Sequence, residues 1–216
     1  RRRRDTANQL WGNKASVLVG DYLFSRAFTL MVECGNMDIL AVLARASNVI
    51  AEGEVLQLAS QGDITTTRER YMAVIRAKTA ALFAAATRIG AMLAGAPPEK
   101  VDAMERFGLN TGIAFQIADD VLDYQGTPSL SGKAVGNDLA QGKMTLPVIL
   151  AYERGTVEER AFWTSLIKGE LTEEPSLAKA LSLLHQHDAL NDSLEDARHY
   201  AAQASEALRH FEKNAY

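Results

Sequence analysis

Apolar residues recur at spacings of three and four along most of this chain. That spacing places side chains on one face of an α-helix. Between positions 9 and 33 the pattern is formed by Leu10, Val17, Leu18, Leu23, Phe24, Ala27, Phe28 and Met31. Strict apolar–polar alternation and hairpin dipeptides between apolar runs are nearly absent. The pattern therefore predicts one all-α domain of long, mostly buried helices.

Turn-forming residues divide this pattern into separate helices. Gly35 is suited to the end of the first helix, and Asn36 or Asp38 to the cap of the second. Pro98 suits the first turn of the fourth helix, which Gly108 could break. The predicted helices are 9–33, 38–60, 66–93, 98–124, 143–154, 156–168, 174–186 and 189–213.

Between the fourth and fifth predicted helices lies a long polar, glycine-rich segment, residues 125–142. A loop of this length in a compact domain is usually functional or disordered. No fixed-period repeat, low-complexity tract or interdomain linker interrupts the chain. We therefore expect a single domain over residues 1–216.

Composition excludes some functions. The net charge is −4, so the chain lacks the basic footprint expected of a nucleic-acid-binding protein. The single cysteine, Cys34, permits no disulfide within the chain, which fits a reducing, cytoplasmic location. We expect Cys34 to be a small core residue. The most apolar stretch, residues 79–96, contains Arg88 and indicates a buried helix, so we expect no transmembrane segment.

Three aspartates stand in the apolar stretch FQIADDVLDYQG, residues 115–126. On a helix Asp119 and Asp123 are one turn apart and lie on the same side, with Asp120 about 100° around the axis. Mg²⁺ is commonly bound through one or two protein carboxylates together with water and substrate phosphates. The spacing therefore indicates a magnesium site, although a helix that simply presents acids to solvent would show the same pattern.

Cationic and hydroxyl residues elsewhere in the chain would suit a phosphate ligand. They are Arg1, Arg2, Lys78, Thr79, Lys133 and Lys143. Each is weak evidence alone, since a lysine such as Lys78 can simply extend its charge to solvent. Together with the acids they suggest a cavity that holds a divalent metal and a polyphosphate. The chain has no Walker A or GxGxxG stretch, so a nucleotide is not the obvious ligand.

Five ordered segments resemble one enzyme family. They are TANQLWGNKASVLVGDYLFSRAF, EGEVLQL, RAKTAALF, FQIADDVLDYQG and GKAVGNDLAQGKMTLPVILA. On these segments the chain resembles the trans-isoprenyl (polyprenyl) diphosphate synthases, and among them the long-chain type that makes quinone side chains. The resemblance implies a bundle of long, mostly antiparallel helices around a central cavity. It also implies head-to-tail condensation of isopentenyl diphosphate with an allylic diphosphate, with Mg²⁺ as cofactor and a homodimer as the assembly.

The resemblance also assigns residues. It implies that Asp119, Asp120 and Asp123 bind metal, with Asp119 and Asp123 as direct ligands. It places Lys78, Thr79, Gln116, Lys133 and Lys143 at the allylic diphosphate or its reacting carbon. Phe115 matches an aromatic residue against the isopentenyl group, although core packing would explain it equally well. Arg1 and Arg2 match an arginine pair that binds the two diphosphates.

Supporting positions follow from the same resemblance. Asp138 is expected to cap a helix or support the metal site rather than bind the metal. Glu54 and Gln57 either line the cavity or make ordinary polar contacts between helices. Either the helix at 9–33 or that at 38–60 could form the dimer interface.

The sequence departs from the family at its amino end. Family members carry about a hundred further residues there, including a first aspartate-rich motif, and Arg3 stands where they have glycine. We therefore expect this sequence to be a truncated form that lacks the amino-terminal helices. The alternatives are a non-catalytic subunit of a heteromeric synthase, a terpene cyclase of the same fold, or a helical scaffold. A basic amino-terminal tail for an anionic surface is a further interpretation of Arg1–Arg4.

Overall fold

The computed structural model describes residues 7–125, 136–171, 173–209 and 211–212. Within these ranges every regular element is helical, which confirms the all-α prediction. Arg1, Arg2, Arg3 and Lys133 lie outside the described residues, as does most of the predicted long loop, so the expectations for them stay predictions.

The helices follow one another through short connections. The first part of the chain forms α1 (Ala7–Glu33), α2 (Met37–Ser60), α3 (Arg68–Ile75), a π-helical turn (Arg76–Ala80), α4 (Ala81–Leu93) and α5 (Pro98–Gln125). The second part forms α6 (Asn137–Ala140), α7 (Leu146–Arg154), α8 (Val157–Ile167), α9 (Glu174–Gln186) and α10 (Ala189–Ala207).

Local chemistry explains where several helices begin and end. Gly35 has a φ of +67°, and α1 ends just before it. The Asn36 side chain accepts hydrogen bonds from the amides of Asp38 and Ile39, so Asn36 rather than Asp38 caps α2. Thr67 caps α3 in the same way, through the Arg70 amide. The predicted end of α1 and start of α2 are confirmed, whereas α3 begins at Arg68 rather than at 66.

Helix α5 is the centre of the fold and packs most extensively against α4 and α10. Ile113, Ile117 and Val121 follow one another at intervals of four on α5, and each is fully buried. This stripe joins a core that also contains Leu146 and Trp163. Burying side chains of this size contributes roughly 1.5–3 kcal/mol each, so the stripe fixes the rotation of α5. The polar side of α5 is thereby held toward the cavity described below.

Some predicted boundaries were wrong. Helix α5 runs unbroken through Gly108. The glycine does not break the helix but allows α4 to approach closely, since a Cβ there would lie 2.4 Å from the Phe83 carbonyl oxygen. Helix α7 begins at Leu146 rather than at 143, and α10 ends at Ala207 rather than at 213.

The expectation of mostly buried helices is wrong for α1. Leu18 and Tyr22 are each 67% exposed, and most other large apolar side chains of α1 are also exposed. The reason is that α1 packs chiefly against α2 among the described elements. Cys34, in the turn that follows α1, is exposed as well and is not a core residue.

One described helix, Asn8–Glu33, is long and apolar enough to cross a membrane by length and composition. Its mean hydropathy reaches 1.3 over 18 residues. Buried helices of soluble proteins and signal sequences share these properties, so the observation is weak evidence for a membrane span. The stretch that the sequence pattern singled out, residues 79–96, instead lies largely within α4.

Candidate active site

The carboxyl-terminal half of α5 lines a cavity of about 420 Å³. The acids Asp119, Asp120 and Asp123 all border this cavity, as their spacing predicted. Seven of the predicted site residues share it: Lys78, Thr79, Gln116, Asp119, Asp120, Asp123 and Lys143. Residues from α2, the π-helical turn, α5 and the segment after α6 thus meet at one place.

Phe115 is not among the residues that line this cavity. Its side chain is 55% exposed, and its ring centroid lies 5.7 Å from that of Phe83. The structure therefore places Phe115 beside α4, and its expected contact with an isopentenyl group stays a prediction.

The π-helical turn at Arg76–Ala80 carries Lys78 and Thr79. A π-turn adds a residue to the helical repeat and is frequent at functional sites. Here both consecutive side chains border the same cavity. Sequence periodicity did not predict this turn, because a single wide turn leaves the apolar pattern of the flanking helices nearly unchanged.

Lys78 is held by two residues of α2. Its ammonium group lies 2.9 Å from the Glu54 carboxylate and also donates a hydrogen bond to the Gln57 side chain. Both residues make polar contacts with Lys78, and Gln57 also lines the cavity, whereas Glu54 is not among the described lining residues. The contacts direct a positive charge from the π-helical turn toward the cavity.

A continuous chain of hydrogen bonds joins the Lys–Thr turn to the acids. The Thr79 hydroxyl donates to the Gln116 side-chain oxygen at 2.7 Å. The Gln116 amide nitrogen donates to Asp120 Oδ1 at 2.8 Å, and the Tyr71 hydroxyl donates to Asp120 Oδ2 at 2.7 Å. We call this chain the Tyr71–Thr79 network. It fixes four side chains from three helical segments relative to one another.

Asp120 differs from the other acids in its burial, since only 5% of it is exposed. Burial raises the pKa of the Asp120 carboxyl to about 7, although the hydrogen bonds from Tyr71 and Gln116 favour the charged form. Burial and the neighbouring Asp120 raise the pKa of Tyr71 well above its ordinary value, so the phenol remains the donor. A cation in the cavity would favour the ionised form of Asp120.

Asp123 is tied to the segment after α5. The Asp138 amide donates to Asp123 Oδ2 at 2.9 Å, and the Asp138 carboxylate lies 2.8 Å from the Lys143 ammonium group. Asp138 therefore links a metal-ligand candidate to a phosphate-ligand candidate, which agrees with the supporting role expected for it. The backbone of Gly136 adds a further bond, from its amide to the Asp123 carbonyl oxygen at 3.0 Å.

The arrangement suits a ligand that carries phosphate and divalent metal. Carboxylate oxygens, which hard cations prefer, border the cavity together with two lysines. Among the described side chains, no three acid, imidazole or thiol groups are already gathered into a metal-binding cluster. A cation held here by Asp119 and Asp123 would therefore need further oxygen ligands, such as water and phosphate.

Several residues that line the cavity were not predicted from the sequence, and Tyr71 is one of them. Tyr71 lies 49 positions before Asp120, and nothing local distinguishes it from a core tyrosine of an amphipathic helix. Only the three-dimensional structure, in which the Tyr71 hydroxyl reaches Asp120 on α5, reveals its partner.

Comparison with known proteins identifies the family. A sequence model of the polyprenyl synthetase family matches residues 1–184. The octaprenyl diphosphate synthase of Haemophilus influenzae is 39% identical over 216 residues, which cover 100% of this chain and 65% of the relative. The chain thus spans just under two thirds of that relative's length.

Solved structures of similar proteins have the same fold. A decaprenyl diphosphate synthase from Rhodobacter capsulatus has a TM-score of 0.92 and 46% identity, covering 99% of this chain and 66% of that one. A polyprenyl synthase from Caulobacter crescentus, complexed with calcium and isoprenyl diphosphate, has a TM-score of 0.94 and 46% identity, covering 99% and 65%. The fold and cavity thus define an all-α protein of the isoprenoid synthase class. The chain belongs to the polyprenyl synthetase family.

Proposed function

We propose that this protein is a long-chain trans-polyprenyl diphosphate synthase, which adds isopentenyl diphosphate head-to-tail to an allylic diphosphate. The observation that carries the proposal is the shared cavity, where Asp119 and Asp123 border the same space as Lys78 and Lys143. The octaprenyl and decaprenyl synthases among the similar proteins support a long product. Such a product would serve as a quinone side chain.

The donor set of the cavity fits Mg²⁺. Asp119 and Asp123 would hold the ion, with Asp120 buried beside them and fixed by Tyr71 and Gln116. The calcium and isoprenyl diphosphate of the Caulobacter crescentus protein support a divalent metal in a site of this kind. Bound magnesium would supply neutralisation of the negative charge that develops on the departing diphosphate.

The side chains of this protein would position the allylic substrate. Lys78 and Lys143 would bind the diphosphate by charge. The Gln116 amide N–H that does not bond to Asp120 would orient it near the reacting carbon, and the Thr79 hydroxyl would turn its proton from Gln116 to the diphosphate when the substrate binds. Lys133, Arg1, Arg2 and Phe115 keep the predicted roles described above. Loss of diphosphate leaves an allylic cation, and exclusion of water from the cavity would protect that cation until the double bond of isopentenyl diphosphate attacks it. The attack moves the positive charge to the added unit, which would then lose a proton to the released diphosphate and form the new double bond.

The proposal extends to assembly and location. We expect a homodimer whose interface includes α1, because the apolar face of this helix is exposed in the single chain. We also expect a cytoplasmic protein whose product partitions into membranes, with no nucleic acid as partner.

An assay of the full-length protein tests the proposal. The protein is given farnesyl diphosphate, labelled isopentenyl diphosphate and Mg²⁺, and the extracted prenols are sized. We expect linear prenols of eight to ten isoprene units and no product after chelation of the metal. Cyclic hydrocarbons without chain elongation would instead identify a cyclase, and activity only with a second subunit would identify a heteromeric synthase.

A further inference from the structure

We propose that Tyr71 is a positioning residue for the diphosphate site and acts through Asp120. The inference rests on the proposed function, because it concerns how the same cavity binds an allylic diphosphate. Tyr71 lies on α3, outside the motifs quoted above, and only 5% of it is exposed. It is nevertheless one of the residues that line the cavity.

Hydrogen bonds from two helical segments hold the Asp120 carboxylate in place. Each of its two carboxylate oxygens accepts one hydrogen bond, Oδ2 from Tyr71 and Oδ1 from Gln116. Because the carboxylate is planar, a donor on each oxygen fixes its rotation as well as its position. Removing the Tyr71 hydroxyl would leave Oδ2 buried without this donor and free the carboxylate to rotate.

The Gln116 side chain connects Asp120 to Thr79. Its amide nitrogen faces Asp120 and its amide oxygen faces the Thr79 hydroxyl, 2.7 Å away. The orientation of the Gln116 amide therefore depends on the position of the Asp120 carboxylate. A shift of Asp120 would pass through Gln116 to Thr79, whose hydroxyl is proposed to contact the allylic diphosphate.

Tyr71 differs from another buried tyrosine, Tyr124, in the partner of its hydroxyl. Tyr124 is also buried, and its hydroxyl lies 2.5 Å from the Thr145 hydroxyl, a neutral partner. Both rings fill the core, but only Tyr71 among these two donates to an acid of the site. Replacing each by phenylalanine removes one hydroxyl of equal size, so Tyr124→Phe is a matched control for the loss of a buried phenol.

The test uses the purified full-length protein and inorganic pyrophosphate as the probe. Calorimetric titration of pyrophosphate in the presence of Mg²⁺ measures diphosphate affinity without turnover. We expect Tyr71→Phe to weaken pyrophosphate binding about tenfold and Tyr124→Phe to change it less than twofold. In steady-state assays Tyr71→Phe should raise the KM for the allylic diphosphate by a similar factor, with the KM for isopentenyl diphosphate within twofold of the wild type.

A double substitution tests whether Tyr71 acts through the acid. If it does, Tyr71→Phe combined with Asp120→Asn should bind pyrophosphate no more weakly than Asp120→Asn alone. Additive losses would overturn the inference, as would equal behaviour of Tyr71→Phe and Tyr124→Phe. Should Tyr71→Phe melt below the assay temperature, all titrations are repeated below its melting temperature, and unchanged pyrophosphate affinity of Tyr71→Phe there would overturn the inference.

The experiments distinguish failure of the proposed function from failure of the inference about Tyr71. A wild-type protein that neither binds pyrophosphate with Mg²⁺ nor elongates prenyl chains refutes the function and the inference together. A wild-type protein that does both, alongside an unaffected Tyr71→Phe variant, refutes the inference alone.

Discussion

Gly53 of α2 lies against the backbone of Lys78 in the π-helical turn. A Cβ atom at position 53 would be 2.8 Å from the Lys78 amide nitrogen and 2.9 Å from the Ala77 Cβ. Contacts this short are not tolerated without movement, and one of the two atoms belongs to the backbone. The absence of a side chain at Gly53 therefore determines how closely α2 approaches the Lys–Thr turn.

We accordingly predict that Gly53→Ala separates α2 from the π-helical turn and displaces Lys78 from Glu54. The strain should lower the free energy of unfolding by about 1–3 kcal/mol, although alanine is the better helix former. The KM for the allylic diphosphate should rise, because the displaced turn carries both Lys78 and Thr79, which are proposed to contact the diphosphate. Chemical denaturation and steady-state kinetics measure the two effects.

Gly90→Ala is the control for this prediction. Gly90 lies on the exposed surface of α4, and a Cβ there would meet nothing within 4 Å. The same substitution should raise the free energy of unfolding by about 0.5–1 kcal/mol and leave the kinetics unchanged. Stabilisation by Gly53→Ala to the extent of Gly90→Ala would refute the close approach as a constraint.

The comparison of sequence with structure shows which features are encoded locally. The end of α1 and the starts of α2 and α5 could be predicted, because Gly35, Asn36 and Pro98 act through their own backbone or nearest neighbours. Gly108 misled the prediction, since its requirement comes from the Phe83 carbonyl on another helix. Gly35 and Gly108 are the same residue type, and only the packing around each shows whether it ends a helix or allows a close approach between helices.

The residues of the site that lie within sequence motifs could be predicted. Asp119 and Asp123 share a face by helical spacing alone. Residue chemistry indicated Lys78 and Thr79 as phosphate ligands, and the family resemblance added Gln116. The contacts that arrange them could not be predicted, because they join positions tens of residues apart, such as Tyr71 with Asp120 and Lys78 with Glu54. The exposure of α1 also escaped prediction, because an apolar helical stripe indicates burial without identifying what covers it.

Asp119→Ala tests the metal assignment. Because the carboxylate borders the cavity and is proposed as a direct ligand, its removal should lower kcat at least about 100-fold while the fold stays intact. Glu195→Ala, which removes a carboxylate exposed on α10, is the control and should behave as the wild type. Product formation measures activity, and circular dichroism with thermal melting checks the fold. Wild-type turnover by Asp119→Ala would remove the assignment.

The raised pKa of Asp120 predicts how stability depends on pH without metal. A carboxyl whose pKa rises from 3.8 to about 7 on folding binds its proton more tightly in the folded state. Its contribution to stability is therefore fully present below pH 4, declines as the pH rises to about 7, and then stays constant. The total loss is on the order of 4 kcal/mol, since each pH unit between the two pKa values corresponds to about 1.4 kcal/mol.

Asp120→Asn removes this titration and serves as the reference. In EDTA, the free energy of unfolding of the wild type minus that of Asp120→Asn should fall between pH 4 and pH 7. Adding Mg²⁺ and pyrophosphate at pH 7.5 should reduce the deficit of the wild type, because a cation stabilises the ionised carboxylate. A difference that does not change with pH would contradict the raised pKa.

The exposed apolar face of α1 leads to a prediction about assembly. Leu18 and Tyr22 are one helical turn apart and equally exposed, so glutamates at both positions would place two charges in an interface formed by α1. On α2, Val55 and Leu58 are 66% and 69% exposed and offer a matched pair on the other candidate helix. Sedimentation velocity of the full-length protein should show a dimer for the wild type and for Val55→Glu/Leu58→Glu, and a monomer for Leu18→Glu/Tyr22→Glu. Charges separate the subunits only where association would bury them, because burial of an unpaired charge is costly. If the α1 variant remains a dimer and the α2 variant is a monomer, the interface is therefore formed by α2 instead.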